Sequence, residues 1–118
     1  MKKSAVVLLI ALALPGTALA AQFSIHAEEW ARPRSGEAVR ELPAMRDLMR
    51  EFDRQPGASV EIRYPGGEAG VLWALEVTDW LVALGVPSDR IRSAVGSGVE
   101  DSVQLLLLRK DETQGTDQ

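Results

Sequence analysis

The residues able to do chemistry in this chain are few, and most sit around one strand-to-helix junction. Arg63 and Tyr64 close a short alternating segment, Gly66-Gly67 follows Pro65, and Glu68 opens the next apolar stretch. A Gly-Gly pair at a helix start can turn backbone N–H groups toward an anion. Glu68 in the first turn opposes that use, so a tight turn that needs glycine is the better reading. Gly96-Ser97-Gly98 lacks the Gly-x-Ser-x-Gly spacing of a nucleophile elbow and reads as a turn. His26 is the single histidine, so neither a triad nor a metal cluster can be assembled around it. Glu28-Glu29 and Glu100-Asp101 are adjacent carboxylates, which do not make the separated pair that glycoside hydrolysis uses. Trp30, Trp73 and Trp80 stand against one tyrosine and two phenylalanines. Indoles serve either as core filling or as platforms for a sugar or a protein partner.

The elements that position these groups follow from periodicity. Phe23, Ile25 and Ala27 alternate with Ser24, His26 and Glu28, which predicts a strand. Ala31 to Glu41, with its Arg, Pro, Ser and Gly, reads as a loop or broken turn. Pro43 suits the first position of a helix, and Met45, Leu48, Met49 and Phe52 recur at helical spacing until Gln55-Pro56-Gly57. Val60, Ile62 and Tyr64 alternate with Glu61 and Arg63, a second strand. A helix from about Glu68 to Leu84 follows, with Val71, Ala74, Leu75, Thr78, Leu81 and Val82 expected on the buried face. Gly85-Val86-Pro87 is its stop: a left-handed cap, an apolar residue folding back, and a proline. Ile91, Ser93 and Val95 predict a third strand. Val103 to Leu108 predicts a fourth, apolar at consecutive positions and expected to be covered on both faces. The fold class is therefore α+β: a two-layer α/β sandwich in β-α-β-α-β-β order, with helices on a mixed sheet of about four strands.

Lys2-Lys3, an unbroken apolar run from Ala5 to Leu14, a Pro15-Gly16 break and Ala18-Leu19-Ala20 form the pattern of a cleavable secretory signal. Residues 1–20 are expected to be removed, leaving a 98-residue product that starts at Ala21: a domain over 21–108 and a polar, disordered tail over 109–118. The run is too short to span a bilayer, and nothing after residue 20 is long and apolar enough to do so. Loss of Lys2 and Lys3 leaves 17 acidic side chains against 11 basic, a formal −6. That balance disfavours nucleic acid as a partner. The chain has no cysteine, which excludes disulfides, thiolate metal sites, a Cys nucleophile and a lipidated N-terminal Cys.

The segment Asp79-Trp-Leu-Val-Ala-Leu-Gly-Val-Pro-Ser-Asp-Arg-Ile-Arg-Ser-Ala-Val-Gly-Ser-Gly resembles the C-terminal, peptidoglycan-associating domain family of outer-membrane protein A, which runs D-Y-L-x-x-x-G-V-P-x-D-R-I-x-x-x-G-Y-G at this point. Phe23-Ser-Ile-His, Val60-Glu-Ile-Arg-Tyr and Val103-Gln-Leu are similar to that family's first, second and closing strands. The resemblance spans most of 23–108, and its specific part is Trp80 to Gly98. It implies a non-enzymatic, cofactor-free domain in the periplasm, at the outer membrane or cell wall, with peptidoglycan or an envelope protein as partner.

The same resemblance implies a changed site. The family grips diaminopimelate with an Asp in G-H-T-D and an Arg in L-S-x-x-R-A. A zwitterion calls for one fixed anion and one fixed cation, because each charge is costly to leave unpaired. The Asp position falls near Gly66 and the Arg position on Trp73. The loop between them is shortened, and the family's N-R-R aligns with Glu100-Asp101-Ser102. The expected reading is an interaction module with altered or lost peptidoglycan binding, its ligand or partner contacts drawn from Arg63, Tyr64, Gly66, Gly67, Glu68 and Trp73. The alternative is direct diaminopimelate binding through replacement residues, Glu68 with Arg63 or Arg34.

Overall fold

The computed structural model describes residues 17–32 and 35–110. Strand β1 (Thr17–His26) leads into the short helices α1 (Ala27–Trp30) and α2 (Gly36–Glu41), then α3 (Pro43–Arg54), β2 (Ser59–Tyr64), α4 (Glu68–Leu84), a 3-10 turn at Ser88–Arg90, β3 (Ile91–Val95) and β4 (Ser102–Lys110). The sheet order is β1-β4-β2-β3. β4 pairs antiparallel with both β1 and β2, while β2 and β3, joined through α4, are parallel. The structure is thus the expected two-layer α+β sandwich with a mixed sheet of four strands.

One face of the sheet carries the core. Ile25, Val60, Ile62, Val103, Leu105 and Leu107 are all fully buried there, against Met45, Leu48 and Phe52 of α3 and Ala74, Val77 and Leu81 of α4. Each of these side chains larger than Ala74 contributes about 1.5–3 kcal/mol on burial. α3 begins at Pro43 as its composition requires, and α4 ends at Gly85, whose φ is +121°. The Gly85 and Val86 N–H groups both return to the Leu81 carbonyl, at 3.1 and 2.9 Å, and Val86 is buried beneath the last turn.

Several expectations need correction. Residues 36–41 are helical rather than loop: Ser35 caps the segment by accepting the Ala38 N–H at 3.1 Å, and Val39 is buried. β1 ends at His26, because Ala27 turns into α1 and donates its N–H to the Asp101 carbonyl. β1 also reaches back to Thr17, so the last residues of the expected leader pair with β4, with a register break at Ala20. β4 is central but covered on one face only; Leu106 and Leu108 lie partly exposed on the other, and the strand runs to Lys110. α4 is rotated from the expected setting. It buries Gly70, Ala74, Val77 and Leu81, while Val71, Leu75 and Val82 are exposed. Gly70 explains the rotation: a methyl there would fall on the Pro65 carbonyl oxygen, with the Pro65 carbonyl carbon at 2.8 Å and Tyr64 Cδ2 at 3.4 Å. The helix seats its one Cβ-free position where strand and helix come closest. The leader's residues 1–16, Arg34 and the tail 111–118 lie outside the described residues.

Candidate functional site

Strand alternation divides the residues around the β2–α4 junction between two sides of the sheet. Tyr64 lies with Val60 and Ile62 on the helix side, half-buried against the core. Its carbonyl accepts the N–H groups of Gly96 and Ser97 at 2.8 and 3.3 Å, which ties the β3–β4 turn to the end of β2. Within that turn Ser97 Oγ donates to the Val99 carbonyl at 2.6 Å, and Gly96 and Gly98 hold positive φ. Gly67 caps α4 at φ +93° and accepts the Val71 N–H. Glu68 is exposed at the rim.

Arg63 points to the opposite, open face. There its Nε donates to Glu61 Oε2 at 2.6 Å, while Arg92 on β3 donates to Glu61 Oε1 through Nη2 at 3.1 Å and Nε at 3.3 Å. Glu61 is only 5 % exposed, although no helix among the described residues packs on its face, and both guanidinium groups bond to it. The hydrogen bond from Arg63 holds the Glu61 carboxyl below its usual range; burial opposes this, and the Arg92 bond and the two positive charges reinforce it. Beside this cluster Gln104 Oε1 accepts from Gln22 Nε2 at 3.1 Å and Ser24 Oγ at 2.8 Å, a second polar group on a face that also carries Leu106 and Leu108.

The six expected contact residues are therefore not gathered in one pocket. Arg63 is on the open face, Tyr64 and Trp73 are on the helix side, and Gly66, Gly67 and Glu68 occupy the rim between. Trp73 is partly buried against the core rather than standing at a mouth. Its Nε1 is buried with no hydrogen-bond partner among the described residues. Trp80 packs likewise, near α2, and Trp30 donates its Nε1–H to Glu76 at 2.8 Å. A shallow hollow of about 220 Å³ at the rim is lined by Pro65, Gly66, Val95, Ser97, Val99 and Glu100, with no cation among them. A larger groove, about 440 Å³, lies well away between α1 and α2, beside Glu29, Arg32, Glu41 and Leu42.

Glu61 and Arg92 were not among the expected residues. Spacing could have found two of the three members of the cluster, since Glu61 and Arg63 are two apart in an alternating strand and must share a face. Arg92 joins only through the register Glu61↔Arg92, which no local pattern encodes. Among the described residues no group of three His, Cys, Asp or Glu side chains could hold a metal ion, and no helix is long and apolar enough to cross a membrane. No family model, curated protein or solved structure matches this chain.

Proposed function

We propose that the chain is an exported, non-catalytic interaction module of the cell envelope, an OmpA-like scaffold whose grip on peptidoglycan is lost. The carrying observation is at the two positions where a diaminopimelate clamp would stand. Gly66 offers no charge, and Trp73 turns an indole toward the core. Arg63, a candidate replacement cation, is bonded to Glu61 on the face away from α4. Among the described residues Glu68 thus has an anion's place at the rim, with no cation lining the hollow beside it. The periplasmic location rests on the leader pattern, and the interaction role rests on the apolar flank that α4 leaves exposed.

Cosedimentation of the exported protein with purified sacculi tests this reading. The expected result is protein left in the supernatant. Binding abolished by Glu68→Ala would reveal a rebuilt clamp and overturn the proposal. Binding lost only with Trp73→Ala would point to stacking on sugar, and would also contradict lost recognition.

A further inference from the structure

Among the described residues the topology leaves α4 and β3 partnered on one side only. The flank of α4 that carries Glu76 and Trp80 looks toward α1 and α2, through the Trp30–Glu76 hydrogen bond and the approach of Trp80 to Gly36. Val71, Leu75 and Val82, at i, i+4 and i+11, lie on the other flank and look out over β3. The helix-side row of β3 beneath them, Ser93 and Val95, is exposed as well. Val71, Leu75, Val82 and Val95 are between 43 and 61 % exposed. Together they present roughly 350 Å² of apolar surface, a patch size that marks interaction sites. That is about half of the ~800 Å² each partner contributes to a stable pair.

The backbone of β3 says how the patch can be completed. β3 is an edge strand, with β2 alone beside it among the described residues. The Gly96 N–H donates to the Tyr64 carbonyl across the β2–β3 ladder. Donor direction alternates along a strand, so Arg92 and Ala94 also turn toward β2, and Ser93 and Val95 turn their N–H and C=O groups to the open edge. The Ile91 N–H is taken by the Ser88 carbonyl, which leaves the Ile91 C=O for an outside donor. No proline or lysine guards this edge, and its one charge, Arg92, belongs to the opposite face.

The geometry points to a second copy of this chain as the occupant, in a two-fold dimer that pairs β3 with β3 antiparallel and centres on Ser93. In that register Ser93 faces Ser93 of the second copy, Ile91 faces Val95, and Arg92 faces Ala94. The apolar row is continued, and the two arginines are not set opposite one another. Four backbone hydrogen bonds form, two between the serines and two from Val95 N–H to the Ile91 carbonyl of the other copy. The two α4 helices then stand about three strand spacings, or roughly 14 Å, apart. That is wider than the 8–10 Å of direct helix packing, and the gap is floored by Ser93 and Val95 and filled from both sides by Val71, Leu75 and Val82. Because βα crossovers run the helix against its strands, Val71 of one copy meets Val82 of the other. This inference does not depend on where the chain resides or on its affinity for cell wall.

Sedimentation equilibrium of the exported protein at rising concentration tests it. The expected mass climbs toward twice that of the monomer. Ser93→Pro removes the central edge donor while staying compatible with an edge strand, and Leu75→Lys charges the exposed flank. Each should weaken dimerisation at least about tenfold, as loss of a central contact does. Gln22→Lys, on the open sheet face, should leave it unchanged. Leu75 is exposed in the monomer, so that variant folds even if the proline variant does not. A monomer at every concentration, including one whose α4 flank is instead occupied by a different protein, overturns the inference. So does a dimer that neither variant weakens.

Discussion

Replacing Gly70 by alanine is the sharpest test of how α4 sits on the sheet. In an ordinary helix interior the change would stabilise by about 1 kcal/mol, because glycine is the poorer helix former. Here the new methyl would meet the Pro65 carbonyl, with Tyr64 Cδ2 3.4 Å away. The obstructing atoms are backbone, and backbone cannot rotate aside as a side chain would. Overpacking of this kind costs about 1–3 kcal/mol, and a backbone obstacle puts this site at or above the upper end. The net loss expected is about 2 kcal/mol, a large share of the 5–15 kcal/mol typical of a domain. With a urea dependence of about 1–2 kcal/mol per molar for a chain this small, the midpoint should fall by about 1–2 M. Gly57→Ala is the control, because nothing lies within 4 Å of a Cβ there, and its midpoint should hold within error. A Gly70→Ala midpoint equal to or above that of the unaltered protein would refute the packing. It would mean that α4 is rolled so that Val71, Leu75 and Val82 face the core, which would remove the exposed flank as well.

Other consequences are open to direct measurement. Glu61→Gln should lower stability at neutral pH by about 1 kcal/mol, since both arginines can turn to water when the carboxylate is lost. The Glu61 carboxyl is held below its unfolded value of 4.5, so its contribution is complete above that pH and is lost as pH falls through the depressed native value. The melting temperatures of variant and parent should therefore converge in acid; a gap that persists in strong acid would exclude the ion cluster as its source. Gly85→Val should cost about 1–2 kcal/mol, because a β-branched residue is strained at positive φ, and an unchanged melting temperature would mean that α4 does not stop there. Mass spectrometry of the exported protein should find a 98-residue product beginning at Ala21. Removal of residues 1–20 ends β1 at its register break and keeps the pairs from Ala21↔Leu107 to His26↔Ser102. A membrane-bound species retaining Lys2 and Lys3 would contradict it.

The elements with strong local grammar were legible in the sequence. Pro43 opening α3, Gly85-Val86-Pro87 closing α4, and the alternation of Val60, Ile62 and Tyr64 each carry their own stereochemical cause, whereas the strand order was not legible beyond an interior place for the last strand. α2 was hidden because a capping serine and one buried valine in a six-residue segment leave no period to read. The buried face of α4 was misread because the helix is apolar on several sides. A hydrophobic wheel weighs Val71 and Leu75 above Gly70, whereas packing is decided by where the backbone must come closest. The candidate site fared as its chemistry allows. Sequence could place Gly66, Gly67 and Glu68 at the turn, but it could not tell that Arg63 and Trp73 go to opposite sides of the sheet, or that Arg92 would close over Glu61.

The central claim is that this scaffold no longer grips the cell-wall peptide, and an NMR titration of the exported protein with a diaminopimelate-containing muropeptide tests it most directly. The amide signals of Gly66, Gly67 and Glu68 and the indole N–H of Trp73 report the two proposed positions of the lost clamp and the rim between them. The account predicts that these signals stay in place as the muropeptide is added. Saturable shifts confined to them, removed by Glu68→Ala, would contradict it.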